Sequence, residues 1–328
     1  MDNGYQTLAA HYVRRQAKLL AEQLDGVRAA EDIEFVHRAR VASRRLRAAL
    51  RMFDDCFRRK QVKRWRKAVR RLTQALGEAR DRDVQIEWLC GTLATLTAKE
   101  CFPGAARVLV QLEHQRERLQ HRVVAATNHL EAGGDLDEMR RAVKRILAAS
   151  GTAAESRQTP AVLAKIRRHV LRRLDELLEH QDSLSDADDR ERHHAMRIAA
   201  KRLRYTLEIS RPAYPGRLDA AVETMKRVQT LLGEVHDCDV WLDHLDAFIA
   251  AERRRIVAVF GHAGRFRHFQ AGIACLQEDR RAHRRKTFEE LVEYWTDLER
   301  RGFWDELRAV VGVEGKSIAP SEAPPQVA

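Results

Sequence analysis

The chain has 328 residues, 44% of them hydrophobic and 33% charged. That length suits two domains of ordinary size, and the composition excludes a largely disordered chain. Lys and Arg number 60 against 48 Asp and Glu, a net charge of +12 with a pI of about 9.8. Such an excess points to a polyanionic partner: nucleic acid, an anionic membrane or a phosphate polymer. The N-terminal residues lack a basic segment followed by an apolar run, and no apolar stretch approaches spanning length, so the expectation is a cytoplasmic protein with no membrane partner. The five cysteines, Cys56, Cys90, Cys101, Cys238 and Cys275, contain no CxxC pair and are expected to be unpaired thiols in a reducing compartment.

In chain order, helical periodicity covers about 4–25, 31–55, 60–77, 81–99, 104–130 and 135–149, and alternating β-branched runs are absent. An all-α fold is therefore predicted. The stretch "SGTAAESRQTP" (Ser150–Pro160) reads as a linker, after which the series restarts at about 160. The predicted division is a first half over 1–155, a second over 156–312 and a Pro-rich, disordered tail over 313–328.

The second half repeats the first. "HRARVASRRLR" from His37 is matched 157 residues later by "HAMRIAAKRLR" from His194, with six of eleven residues identical in register. "LGEARDRDV" from Leu76 is matched by "LGEVHDCDV" from Leu232, an offset of 156. Farther on, Leu112 and Arg116 pair with Leu276 and Arg280, and "DEMRRAV" resembles "DELRAVV". Features matched in the same order argue for duplication of one helical unit.

On a helical wheel with His37 at zero and about 100° per residue, Arg40, Arg44, Arg47 and Arg51 fall within a stripe from about 280° to 340°. Ala39, Leu46, Leu50 and Phe53 occupy the opposite, apolar side. The second copy places His194, Arg197, Lys201 and Arg204 likewise, with Leu203 and Leu207 on the apolar side, but Glu208 stands where the first copy has Arg51. No Asp or Glu occurs from Val36 to Phe53, whereas a solvated face would intersperse acids, because like charges at i,i+3 and i,i+4 cost a few tenths of a kcal/mol each. Bound phosphates would relieve that repulsion, since guanidinium forks match phosphate oxygens with two parallel hydrogen bonds. At the head of each stripe His37 and His194 are either structural or face phosphate, where an imidazole donates hydrogen bonds, gains a proton or accepts a phosphoryl group.

The paired acids Asp81 and Asp83 recur as Asp237 and Asp239. Each pair follows "LG", where Gly77 or Gly233 is expected to end a helix, so the carboxylates would cap the next one or orient the arginines. The alternative, a DxD site for Mg²⁺ beside phosphate, remains open. No GxxxxGK[ST], HExxH or GxSxG motif is present, and no cofactor is expected.

A doubled H-x-x-R-x-x-x-[RK]-R-L-R helix, each copy followed by L-G-x-x-x-D-x-D, in a basic and all-helical chain resembles the CHAD family, the conserved histidine α-helical domain. The likeness runs from about residue 4 to 311. It implies two four-helix-bundle-like repeats related by pseudo-two-fold symmetry around a basic cleft that binds inorganic polyphosphate, with polyphosphate granules as a place of action. Carried over onto this sequence, the binding positions are His37, Arg40, Arg44, Arg45 and Arg47, then His194, Arg197, Lys201, Arg202 and Arg204; Arg51, Arg116 and Arg280 extend the set. The alternating glutamates ExExK of the triphosphate-tunnel domain often attached to such domains do not occur, which argues against triphosphatase activity. The expected function is non-catalytic polyphosphate binding. The alternatives are a metal-dependent polyphosphate phosphohydrolase or phosphotransferase, and RNA or DNA binding. Against the last, Tyr205 is the only Phe, Trp or Tyr in or just after either basic motif, so platforms for base stacking are missing.

Overall fold

A computed structural model describes residues 3–149 and 158–312. The tail expected from 313 and most of the expected linker lie outside the described residues. Within them the fold is all-α, eleven α-helices with no strand.

The helix expected over 4–25 is two, α1 (Asn3–Ala21) and α2 (Leu24–Ala29). They are separated by a tight turn in which the Gln23 N–H donates to the Leu20 carbonyl. Gly26 lies directly under the Phe35 ring, where any Cβ would clash, so α2 packs closely on α3 (Ile33–Met52). Asp32 caps α3 by accepting from the Glu34 N–H at 2.8 Å, and Val36, Ala39, Leu46, Leu50 and Phe53 are buried, as the wheel requires.

The expected breaks at Gly77 and Gly233 do not occur. α4 runs unbroken over Arg59–Thr95 and α9 over Asp219–Phe260. A helical glycine costs only about 1 kcal/mol relative to alanine. The apolar period passes straight through both sites, burying Leu72, Leu76 and Ala79 in one helix and Val228, Leu232 and Val235 in the other. Tertiary burial outweighs the local signal.

The remaining helices are α5 (Phe102–Ala132), α6 (Asp135–Ala149), α7 (Pro160–Leu178), α8 (Arg190–Ser210), α10 (Arg267–Arg300) and α11 (Phe303–Gly312). Their packing follows one order over 3–149 and over 158–312: α1 on α3 and α7 on α8, α3 on α4 and α8 on α9, α4 on α5 and α9 on α10. Two apolar cores result, and each takes side chains from both halves. The larger joins Leu46, Leu50 and Trp65 with Leu203, Leu207 and Trp295; the smaller joins Leu89 and Leu112 with Trp241, Leu245 and Leu276.

At the smaller core α5 crosses α10 at Gly104 and Gly272. A Cβ on either would strike the other helix's backbone, so only glycine permits this approach. Beside the crossing, Cys101 and Cys275 form a disulfide. This corrects the expectation of unpaired thiols, which holds for Cys56, Cys90 and Cys238. The two bonded residues are 174 positions apart, and no local spacing marks them as partners.

Candidate functional site: a cationic seam between two helices

α3 and α8 touch, which turns two separate stripes into one surface. A cavity of about 260 Å³ on this seam is lined by Arg44, Arg47 and Arg51 from α3, by Lys201 and Arg202 from α8, and by His169 and Arg173 from α7. Asp189 caps α8, its carboxylate accepting from the Arg192 N–H at 3.1 Å. Leu203 and Leu207 anchor its opposite face in the core.

The cations are close enough to perturb one another. Burial, then Arg44, Arg197, Arg40 and Arg47, lower the Lys201 ammonium to about 7. Arg40, Arg47, Arg51 and Arg197 are also held below the usual arginine value, by burial first and then by neighbouring guanidinium groups. Such crowding is costly unless an anion shares the space. Among the described residues Arg44, Arg47, Arg51 and Lys201 have no ion-pair partner.

Their neighbours on the seam are held in place by acids. Arg40 lies 3.3 Å from Asp81, and Arg197 lies 4.0 Å from Asp237. Because α4 and α9 are continuous, all four aspartates are interior helix residues and cap nothing, which corrects the capping expectation. Of the four, only Asp81 and Asp237 contact arginines of the stripes; Asp83 accepts from Arg116 on α5 at 2.5 Å and Asp239 from Arg284 on α10 at 2.7 Å. Burial raises the pKa of Asp83 against the pull of Arg116. Among the described residues no group of three His, Cys, Asp or Glu side chains is placed to hold a metal.

Several expected binding residues stand elsewhere. Glu208 is nearly enclosed, accepts from Arg45 at 3.1 Å and sits 3.3 Å from Arg204, so both arginines belong to an ion-paired knot across the α3–α8 contact. Arg202 does line the seam cavity, but it lies 3.8 Å from Glu176 and remains half-exposed. Arg116 is tied to Asp83, and its counterpart on α10 is Arg284, one turn beyond the Arg280 that sequence matching pairs with it. Arg280 instead stacks on Trp88 with 3.9 Å to the ring centroid, at the smaller core.

The two histidines also differ. His37 is half-buried at the head of α3. The His194 Nδ1 lies 3.3 Å from the Nδ1 of His236 on α9. Burial, then Arg197, His194 and Lys201, push His236 down to about 4, and His194 is lowered by burial, Arg197 and Lys201. His236 was not anticipated, although it stands in the repeated motif where the first copy has Arg80. The adjacent His193 is structural: buried, with its Nε2 2.9 Å from the Ser183 carbonyl oxygen and its ring against Phe288.

The fold has counterparts among solved structures. The CHAD domain from the plant Ricinus communis superposes with a TM-score of 0.59 at 22% identity, covering 88% of this chain and 91% of that one. A protein named PptA from Streptomyces chartreusis superposes with a TM-score of 0.56 at 18% identity, covering 89% and 99% respectively. No curated protein matches the sequence. The CHAD domain family model matches residues 11–246, a span that holds both basic stripes and all four aspartates, and on that match this chain belongs to the CHAD domain family.

Proposed function

We propose that the chain binds inorganic polyphosphate along the α3–α8 seam without cleaving it, and so acts as a targeting module for polyphosphate-rich bodies such as granules. The family's association with polyphosphate supports the ligand. The observation that carries the reading is the group Arg44, Arg47, Arg51 and Lys201, which share one cavity and have no carboxylate partner among the described residues. Guanidinium forks and an ammonium with no internal anion suit a chain of phosphates.

Two features favour binding over hydrolysis and over nucleic acid. The aspartates that would recruit a divalent ion are engaged with arginines, Asp81 with Arg40 and Asp83 with Arg116. Base stacking needs exposed rings. Tyr205 is buried, and Phe57, at the outer end of the basic surface, packs edge-on against Trp65.

The test is competition between polyphosphate and single-stranded RNA at equal phosphate concentration. Polyphosphate should displace RNA far more readily than RNA displaces polyphosphate. Equal competition would mean that the seam reads charge alone. Polymer length on a gel should also be unchanged after prolonged incubation with Mg²⁺ or Mn²⁺; steady shortening by pure protein, abolished in Asp81→Asn/Asp237→Asn, would establish the phosphohydrolase instead.

A further inference from the structure

The cationic surface does not stop at the seam, and it continues on one side only. From Arg58 to Gly77 the sequence has nine Lys or Arg and no Asp or Glu. The matched segment at the offset of 156, Tyr214 to Gly233, has three basic residues and two acidic ones. At about 100° per residue, Arg59, Lys63, Arg66, Lys67 and Arg70 fall in one stripe about 100° wide on α4. All five are exposed, and among the described residues none has an ion-pair partner.

These five side chains line an open cavity of about 760 Å³ together with Arg47 and Arg51 at the end of the α3 stripe. The latter two also line the seam cavity, so the two spaces adjoin at these side chains. The coupling is electrostatic as well: burial and then Arg66, with Arg202, Arg173 and Arg70 behind it, lower Arg51. Two acids, Asp54 and Asp55, border the cavity, and Asp55 is already bonded to Lys165 at 3.0 Å.

Where α4 uses an arginine structurally, the fold supplies carboxylates. Arg64, on a different side of the helix, is paired with Asp135 and Glu138. On α9, Lys226 is paired with Glu223 and Arg227 with Glu290. The α4 stripe has no such compensation, and its like-charge repulsion calls for an external anion.

We propose that the start of α4 is a second polyanion-binding segment, continuous with the seam, which receives the overhang of long phosphate chains on the first-half side only. It rests on the polyphosphate reading above. Arg59 to Arg70 span roughly 16 Å of helix, about the same as Arg40 to Arg51, so the extension nearly doubles the length of chain in contact. A chain anchored in the seam meets α4 as an intramolecular partner, and gains of this kind reach 10²-fold or more. Short chains held in the seam do not reach it.

The experiment is a length series of polyphosphate bound to wild type, to Arg66→Ala/Arg70→Ala, to Arg66→Lys/Arg70→Lys and, as control, to Lys226→Ala/Arg227→Ala on α9. Short chains should bind all four alike. With long chains the alanine variant on α4 should lose roughly tenfold or more in affinity, while the lysine variant and the α9 control follow wild type. An α4 alanine variant with the wild-type length dependence, or an α9 control that loses as much, overturns the one-sided path. Wild type that fails to bind polyphosphate of any length would instead bring down the functional reading itself.

Discussion

Lys201 is the side chain whose charge depends most on what fills the seam. In the free protein its pKa is about 7, set by burial, by Arg44, Arg40 and Arg47 on α3 and by Arg197 on its own helix, with His236 on α9 nearby. A bound polyanion favours the ammonium and raises its pKa. Below about 7 the proton is on in both states; above it the complex holds a proton that the free protein has released, so affinity falls as pH rises above about 7. Lys201→Arg keeps the charge fixed and should flatten that part of the profile, measured by binding isotherms at each pH. Identical slopes for wild type and variant above pH 7 would show that Lys201 does not meet phosphate. The histidines start lower: in the free protein His236 is at about 4, and His194 is held below its ordinary value by burial, Arg197 and Lys201. Glu208 shows what a single residue hides. A helical wheel places it within the stripe, but its partner Arg45 is 163 residues away, a contact no local pattern encodes.

The stripes were legible at the level of elements because amphipathic periodicity is a local property. The residues assigned to the apolar sides of α3 and α8 are buried, and Arg44, Arg47, Arg51 and Lys201 of the stripes line one cavity, whereas Arg204 is drawn into the Glu208 knot. Helix termini and long-range pairs were not legible. Gly77 and Gly233 look like stops, but burial on either side carries each helix through, and the aspartates beyond them become anchors between helices instead of caps. The α4–α5 anchor is the pair Asp83 and Arg116, whose side chains are only 3% and 15% exposed. Arg116→Ala leaves Asp83 buried without its cation, a loss that typically costs about 3–5 kcal/mol. Chemical denaturation should show this fall in stability, with polyphosphate affinity per folded molecule nearly unchanged. Loss of affinity without loss of stability would place Arg116 at the ligand and contradict the anchoring role. The disulfide between Cys101 and Cys275 belongs to the same class of feature, created by a helix crossing that two glycines permit and that only the folded chain reveals.

At the scale of the whole molecule, the two basic helices would give a long ligand more than one surface to lie on. A single stripe from His37 to Arg51 extends roughly 21 Å, enough for a short piece of polymer. Packing α3 on α8 sets Arg44 and Arg47 beside Lys201, and on the proposed reading it would join two weak sites into one whose parts act at high effective concentration. Binding should therefore depend on both halves. Arg44→Ala/Arg47→Ala and Lys201→Ala/Arg197→Ala should each weaken long-chain binding, and each should reduce the slope of log affinity against log salt. The reduction is about 0.7 per lost phosphate contact if the polymer behaves like a single-stranded nucleic acid. Arg45→Ala, which disrupts the Glu208 knot away from the cavity, should leave that slope alone and act on stability. Short oligophosphates engage fewer cations at once, so their salt slopes should be shallower from the start and change less on mutation. A salt titration with short and long polymer decides the matter. If the α8 pair can be neutralised with no change in long-chain affinity or slope, α8 takes no part in binding, and the second copy of the motif is retained for the core it buries.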